Sequence, residues 1–534
     1  MMKIPYLKED QGKKILMVHE EPFIMLSGEV HNSSSSSATY MEKVWDKAEN
    51  LGLNSILLPV TWEMVEPQEG EFDFSLVDSL IGQARERGKR LGFLWFGAWK
   101  NAQCYYAPAW VKKDTNRFKR AQVVKGQNFT YLKDFHGMSY STLSYLCEAT
   151  NEADSKAFQA FMSHLKEVDE KENTVVMVQV ENECGLQGSA RENSIEADFL
   201  FESEVPQHFV DYIKSCTSSM AEDVRISIEG GANKGSWKEV FGENAEEIFS
   251  AYHVAAYVNR VAKAGKDVYP LPMAANCWLD KGQKAGMYPS GGPVARMMEV
   301  WKYVAPSIDI IAPDIYVSNF CGICDEYVKL NNPLLIPETA THSYAGPRQV
   351  YVVGHYHALG FAPFGFEDMG EAFSAMDSYL FGVDTSDPAV RTPQNVEEYR
   401  WFTTTLNNLM PELTKKYGTN DLQAVSVERK ENDTMLFGEY GFKIMMDLPI
   451  LSRKDGVCLI LKVAEDEFYI IANGCAVIPF SSNQQMPFVG IDSLEDGEFK
   501  DGVWNMHRRL NGDEVAIMRY EEPTLLKLKL YHYN

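Results

Sequence analysis

Through roughly the first 370 residues, short apolar runs rich in β-branched residues alternate with stretches of helical period. Eight runs predict strands: "FIMLSGEV" (23–30), "NSILLPV" (54–60), "RLGFLWFG" (90–97), "TVVMVQV" (174–180), "PMAANCW" (272–278), "IDIIAPDIY" (308–316), "PLLIPE" (333–338) and "GFAPFGF" (360–366). Between them, 75–90 places Leu76, Leu80 and Ala84 on one helical face, and 156–170 does the same with Phe158, Phe161 and Leu165. Strands alternating with helices are the signature of a parallel sheet, and eight such units predict an α/β fold, an eight-stranded β/α (TIM) barrel with insertions. The longest insertions, 98–153 and 182–271, follow the third and fourth strands, on the face where barrels carry their chemistry. "HNSSSSSATY", after the first strand, falls on that same face.

Near residue 411 the period changes. "LQAVSVERKENDTMLFGEYGFKIMMDL", "GVCLILKVAEDEFYIIANG" and "TLLKLKLYHYN" alternate, with Leu526, Leu528 and Leu530 on one face and Lys527 and Lys529 on the other. The expected organisation is a catalytic barrel over 1–410 and a smaller C-terminal antiparallel β-sandwich-like domain over 411–534. No repeat at a solenoid period is present.

Composition narrows the function. With 534 residues, 45% of them hydrophobic, the chain can bury a large core. A net charge of −24, without a Lys/Arg stripe, argues against nucleic acid and suits an uncharged substrate. The start has no signal-type apolar region and no run of about 18 apolar residues occurs, so the expectation is a soluble, cytoplasmic protein without a membrane partner. Nine cysteines, an odd number, fit a reducing compartment; Cys321 and Cys324 form a lone CxxC, read as two free thiols at a helix start. Nothing sets the oligomeric state, and a homo-oligomer is compatible with the chain.

One apolar run, "NTVVMVQVENECG", ends on Glu181-Asn182-Glu183. Carboxylates beside apolar surroundings need partners or a chemical task. Glu63, Glu183, Glu229 and Glu338 all sit at or near predicted strand ends, which converge in a barrel. Two carboxyls about 5 to 5.5 Å apart make a retaining glycosidase; a wider gap makes an inverting one. The pair selected is Glu183 and Glu338, after the fourth and seventh strands, with Glu229 read as a structural support.

"SGEVHNSS", "LNSILLPVTWEMVEPQEGEFDFSLVDSLI", "LWFGAWKNAQCYYAPAWVKKD", "VQVENECG", "GGPVARMMEVWK", "IDIIAPDIY" and "LLIPETA" together resemble glycoside hydrolase family 35, the β-galactosidase family. The resemblance implies Glu183 as acid/base, Asn182 as partner of the substrate 2-hydroxyl and Glu338 as nucleophile. It implies hydrolysis of terminal β-galactosyl residues from oligosaccharides or glycosides, with no cofactor or metal. Glu181 is then a structural carboxylate pointing away. Residues 181 and 183 share a face of a regular strand, so a bulge or the strand end must turn them apart.

His31, Glu63, Trp99, Lys100, Asn101 and Tyr316 are the candidate substrate-binding residues. Trp99 is read as a sugar platform, and the Tyr316 hydroxyl as a donor that holds a carboxylate ionised. Trp62, Trp95 and Trp278 suit the core. The chain departs from better-known members at Cys184, where many have Tyr, at Asn101, where animal members carry an acid, and in the "HNSS" loop, which lacks an arginine. Two other readings stay open: a retaining β-glucosaminidase, arabinopyranosidase or β-glucosidase on the same scaffold, and a non-catalytic carbohydrate-binding barrel.

Overall fold

The computed structural model describes residues 3–10, 12–125, 130–131, 139–372, 391–429, 434–446, 451, 453, 455–500, 502–516 and 518–534. Parts of the 98–153 insertion and of the alternating stretch after 421 lie outside these. Eight strands form a closed barrel in chain order: β1 Met25–Glu29, β2 Ser55–Thr61, β3 Arg90–Lys100, β4 Val175–Asn182, β5 Met273–Trp278, β6 Ile310–Ile315, β7 Leu335–Thr339 and β8 Gly360–Pro363. The eight expected strands are these eight. Pairings such as β3 with β4 and β5 with β6 are parallel, and β4 is buried at every position, as a strand covered on both faces requires.

The chain falls into two compact units, one built mainly on Leu57–Asp314, the other on Leu7–Ser34, Tyr40–Ile56 and Ile315–Asn534. In the first, the helix Glu148–Asp169 buries Ala157, Phe158, Phe161, Met162 and Leu165 at i, i+3, i+4 spacing. Each large apolar side chain removed from water contributes about 1.5 to 3 kcal/mol. Trp95 of β3 packs between Phe158 and Phe161, with ring centroids 5.6 Å from each. The helix Ala245–Lys266 comes close enough that a Cβ on Gly265 would stand 2.4 Å from the Phe158 ring.

In the second unit, the helix Val396–Lys416 leads to strands β9 Leu422–Ser426, β10 Thr434–Phe437, β11 Tyr440–Met445, β12 Val457–Lys462, β13 Glu467–Asn473, β14 Cys475–Ser481, β15 Phe488–Lys500, β16 Val503–Arg509, β17 Arg519–Tyr520 and β18 Thr524–Tyr533. They form a six-stranded sheet, β9-β12-β13-β18-β15-β16, and a four-stranded sheet, β10-β11-β14-β17. Phe442 and Val477 from one sheet and Ile460, Phe468, Leu526, Leu528 and Leu530 from the other share a core. That is the sandwich the alternation predicts. Lys527, on the opposite face, pairs with Glu467 at 3.0 Å. A bidentate ion pair from the buried Arg348 to the half-buried Glu428, at 2.8 and 2.6 Å, ties the helix Ala345–Tyr351 to the segment after β9.

Candidate active site

At the end of β4 the backbone leaves the strand conformation twice. Glu181 has φ 62° and Glu183 has φ 44°, left-handed values that a side chain with a Cβ adopts only when its surroundings hold it there. This local turn separates two carboxylates that a regular strand would aim the same way. Glu181 is fully buried, and its Oε2 accepts the Trp99 backbone N–H at 2.8 Å. Asn182 Oδ1 accepts from Lys100 Nζ at 2.9 Å, and Glu183 Oε2 accepts from Asn101 Nδ2. Three consecutive residues at the end of β3 therefore hold three consecutive residues at the end of β4. Asn101 and Ala102 are themselves left-handed, φ 52° and 58°, which bends the chain back so that the Ala102 N–H reaches the Glu183 carbonyl at 3.1 Å.

Two further residues belong here that the sequence reading missed. Asn276, in β5, accepts the Glu183 backbone N–H at 3.0 Å and donates to Asp314, in β6, at 2.9 Å. Oxygens of the Glu183 and Asp314 carboxylates lie within 4.8 Å of each other. The available signal was a single polar residue inside each of two apolar runs, "AANCW" and "APDIY".

At the end of β7, Glu338 is 4% exposed and accepts from the Tyr316 hydroxyl at 3.0 Å. Thr339 donates its hydroxyl to the Ile315 carbonyl at 2.8 Å, which fixes β7 against the residue before Tyr316. The β7–β8 register shifts between Ile336 and Thr339, an irregularity that re-aims side chains at a strand end.

The remaining candidates divide. His31, in the loop after β1, pairs with Asp368 at 2.6 Å and donates its backbone N–H to Glu367. A Cβ at Gly365 would stand 2.5 Å from the His31 ring, so this loop packing depends on glycine. Glu63 lies on the short helix Trp62–Val65 directly after β2, paired with Lys112 at 3.0 Å. Trp99 is fully buried and packs edge-on against Tyr257 with centroids 4.5 Å apart, which corrects the platform reading: its ring is part of the wall. Glu229 is not at a strand end; it lies in the helix Glu222–Gly230 and pairs with Arg225 one turn away at 2.9 Å. Cys321 and Cys324 are buried free thiols in the helix Phe320–Tyr327.

Comparison with known proteins gives two family matches. Residues 15–88 match the model for glycosyl hydrolases family 35, and residues 404–520 match a domain of unknown function, DUF5597. A curated β-galactosidase from Xanthomonas manihotis is 42% identical over 55 residues, 10% of this chain and 9% of that protein. Among solved structures, the β-galactosidase from Bacillus circulans sp. alkalophilus aligns over 72% of this chain and 56% of its own at 13% identity and a TM-score of 0.45. The catalytic domain of the β-amylase from Paenibacillus polymyxa aligns over 71% of this chain and 97% of its own at 11% identity and a TM-score of 0.44. The chain thus spans a small part of the curated relative and about half of the first of these structures. Among the described residues no helix is long and apolar enough to cross a membrane.

Proposed function

We propose that this chain, a β/α barrel whose first strands match family 35 of the glycosyl hydrolases, is a retaining exo-glycosidase acting on terminal β-galactosyl residues. The observation that carries the reading is the pair of buried carboxylates at the ends of β4 and β7, each held by a neutral donor: Asn101 on Glu183 and Tyr316 on Glu338. Strand ends of a parallel barrel share the face on which such barrels do chemistry. In this reading Glu338 attacks the anomeric carbon while Glu183 protonates the leaving oxygen. Glu183 then deprotonates the water that releases the sugar.

The local chemistry supports these roles. The proposed nucleophile must be aimed, and the Tyr316 hydroxyl donates to Glu338 Oε2 at 3.0 Å. The proposed acid/base has a second carboxyl group, Asp314, with an oxygen within 4.8 Å of its own. Asn182, held by Lys100, is the partner assigned to the substrate 2-hydroxyl.

A second reading keeps the mechanism and changes the sugar. Asn101, where an acidic residue would otherwise bind a sugar hydroxyl, spends its amide on Glu183, which leaves the contact to the outer hydroxyls unassigned. A panel of nitrophenyl β-glycosides and a 2-fluoro sugar test both readings. The expected outcome is hydrolysis of the galactoside above the glucoside, glucosaminide and arabinopyranoside, with covalent label on Glu338. Labelling with a different sugar replaces the specificity alone; no turnover or label with any glycoside removes the enzymatic reading.

A further inference from the structure

Behind Glu183 lies a second pair of acids that the proposed reaction does not use. Asp154, on the helix Glu148–Asp169, and Glu181 are both fully buried. Asp154 accepts a donor on each oxygen: the Trp95 indole reaches Oδ1 at 2.9 Å and the Tyr257 hydroxyl reaches Oδ2 at 3.0 Å. Glu181 takes the Trp99 N–H on Oε2, and no N–H or O–H among the described residues reaches its Oε1. That bare oxygen faces Asp154. A Cβ on Gly97 would stand 2.7 Å from both Glu181 Oε1 and Asp154 Oδ1, and 2.5 Å from the Trp95 indole nitrogen. The two carboxyl groups therefore crowd one point that glycine leaves open.

Two ionised carboxylates cannot share a buried site without a cation, but a carboxyl can donate to a carboxylate. Burial drives both groups toward the protonated form, and the neighbouring Asp154 adds to the effect on Glu181. The nearby Tyr257 phenol and Cys184 thiol are also held in their neutral forms by burial. Asp154, with two donors already aimed at it, is the acceptor, which leaves Glu181 as the group carrying the proton.

We propose that Glu181 and Asp154 share one proton, Glu181 donating to the Asp154 carboxylate, and that this pair positions the acid/base by locking the end of β3 onto the end of β4. The mechanical path is short. Glu181 holds Trp99, and the next two residues, Lys100 and Asn101, hold Asn182 and Glu183. Both acids are positioning residues that act through this contact. The inference rests on the assignment of Glu183 in the proposed function.

The test compares Glu181→Gln, Asp154→Asn and the wild type. Glutamine keeps a donor toward Asp154, so Glu181→Gln stays folded and within about threefold of wild-type kcat/KM. Asparagine replaces one acceptor oxygen by a donor, so Asp154→Asn loses about tenfold or more. Its loss is larger on glycosides with poor leaving groups than on a dinitrophenyl glycoside, because the acid step is what is displaced; a merely destabilised fold lowers both alike. Independently of activity, the infrared difference between wild type and Glu181→Gln at neutral pH contains the C=O band of a protonated carboxyl group. No such band overturns the shared proton, and Asp154→Asn behaving like Glu181→Gln overturns the positioning role. A wild type inactive on every glycoside fails the proposed function instead, while the infrared result still decides the pair.

Discussion

The ends of β4 and β7 solve the same problem in different ways. Each presents one buried glutamate from an apolar strand. The β7 end does it with one acid, Glu338, a local register shift and a tyrosine donor. The β4 end uses a Glu-Asn-Glu run, two left-handed residues and three side-chain or backbone contacts from the end of β3. The difference follows from the task proposed for each. A nucleophile has to be charged and aimed, which one neutral donor achieves, whereas an acid/base must gain and lose a proton, so its neighbours have to stay fixed in both states.

The largest expected effect lies at the β7 end. Glu338→Gln leaves nothing to attack the anomeric carbon, and kcat falls on the order of 10⁴-fold or more with an unchanged circular-dichroism spectrum. Loss of the folded spectrum would make Glu338 structural. The β4 end should respond differently. Glu183→Ala retains glycosylation by a dinitrophenyl glycoside, whose leaving group needs no proton, and stalls at deglycosylation. Added azide then restores turnover and gives a β-glycosyl azide. An α-azide would exchange the two roles, and rescue confined to Glu63→Ala would move the acid/base away from β4.

A smaller effect separates aiming from reacting. Tyr316→Phe deletes the hydrogen bond to Glu338, worth about 1.5 to 3 kcal/mol to the carboxylate that attacks in the proposed reaction, so kcat falls roughly 10- to 150-fold with little change in melting temperature. An unaltered kcat means that the donor does not tune Glu338, and the contrast between the two strand ends weakens.

The barrel was legible because its strands are near-continuous apolar runs, and such runs survive as strands whatever surrounds them. The β4 end was only half legible. Alternation identified the conflict between Glu181 and Glu183, but its resolution depends on φ angles imposed by contacts from β3, far away in sequence. Asn276 and Asp314 were hidden for the same reason: a polar residue in an apolar strand becomes informative only once its partner is known. Glu229 misled because "RISIEGG" has β-branched residues at alternate positions, yet it forms the helix Glu222–Gly230, which buries Val224 and Ile228 at i, i+4. Trp99 misled because a tryptophan at a strand end suits a sugar platform or a wall equally, and only its burial against Tyr257 decides.

The last and smallest effect compares two buried groups, one from each unit, whose contributions to stability change with pH in opposite directions. In the unit with β7, His357 accepts the Gly418 N–H on Nδ1 at 3.0 Å, and its Nε2 lies 3.3 Å from the Leu422 carbonyl. Both nitrogens are therefore used by the neutral ring, and a second proton would confront an N–H; burial lowers the His357 pKa from 6.5 to about 4. Between pH 6.5 and 4 the unfolded chain binds this proton and the folded one does not, so stability falls as pH falls through that window, by at most about 3 kcal/mol. In the unit with β4, Glu192 is buried, takes the Ser144 hydroxyl at 2.6 Å and has its pKa raised from 4.5 to about 7 by desolvation. Between pH 4.5 and 7 the folded chain holds a proton that the unfolded one has lost, so this group costs stability as pH rises, by a similar amount. Melting curves across pH should therefore show His357→Gln flattening the acid limb and Glu192→Gln flattening the neutral limb, each by a few degrees. If Glu192→Gln instead flattens the acid limb, Glu192 is ionised in the folded protein, and the contrast in sign between the two groups is lost.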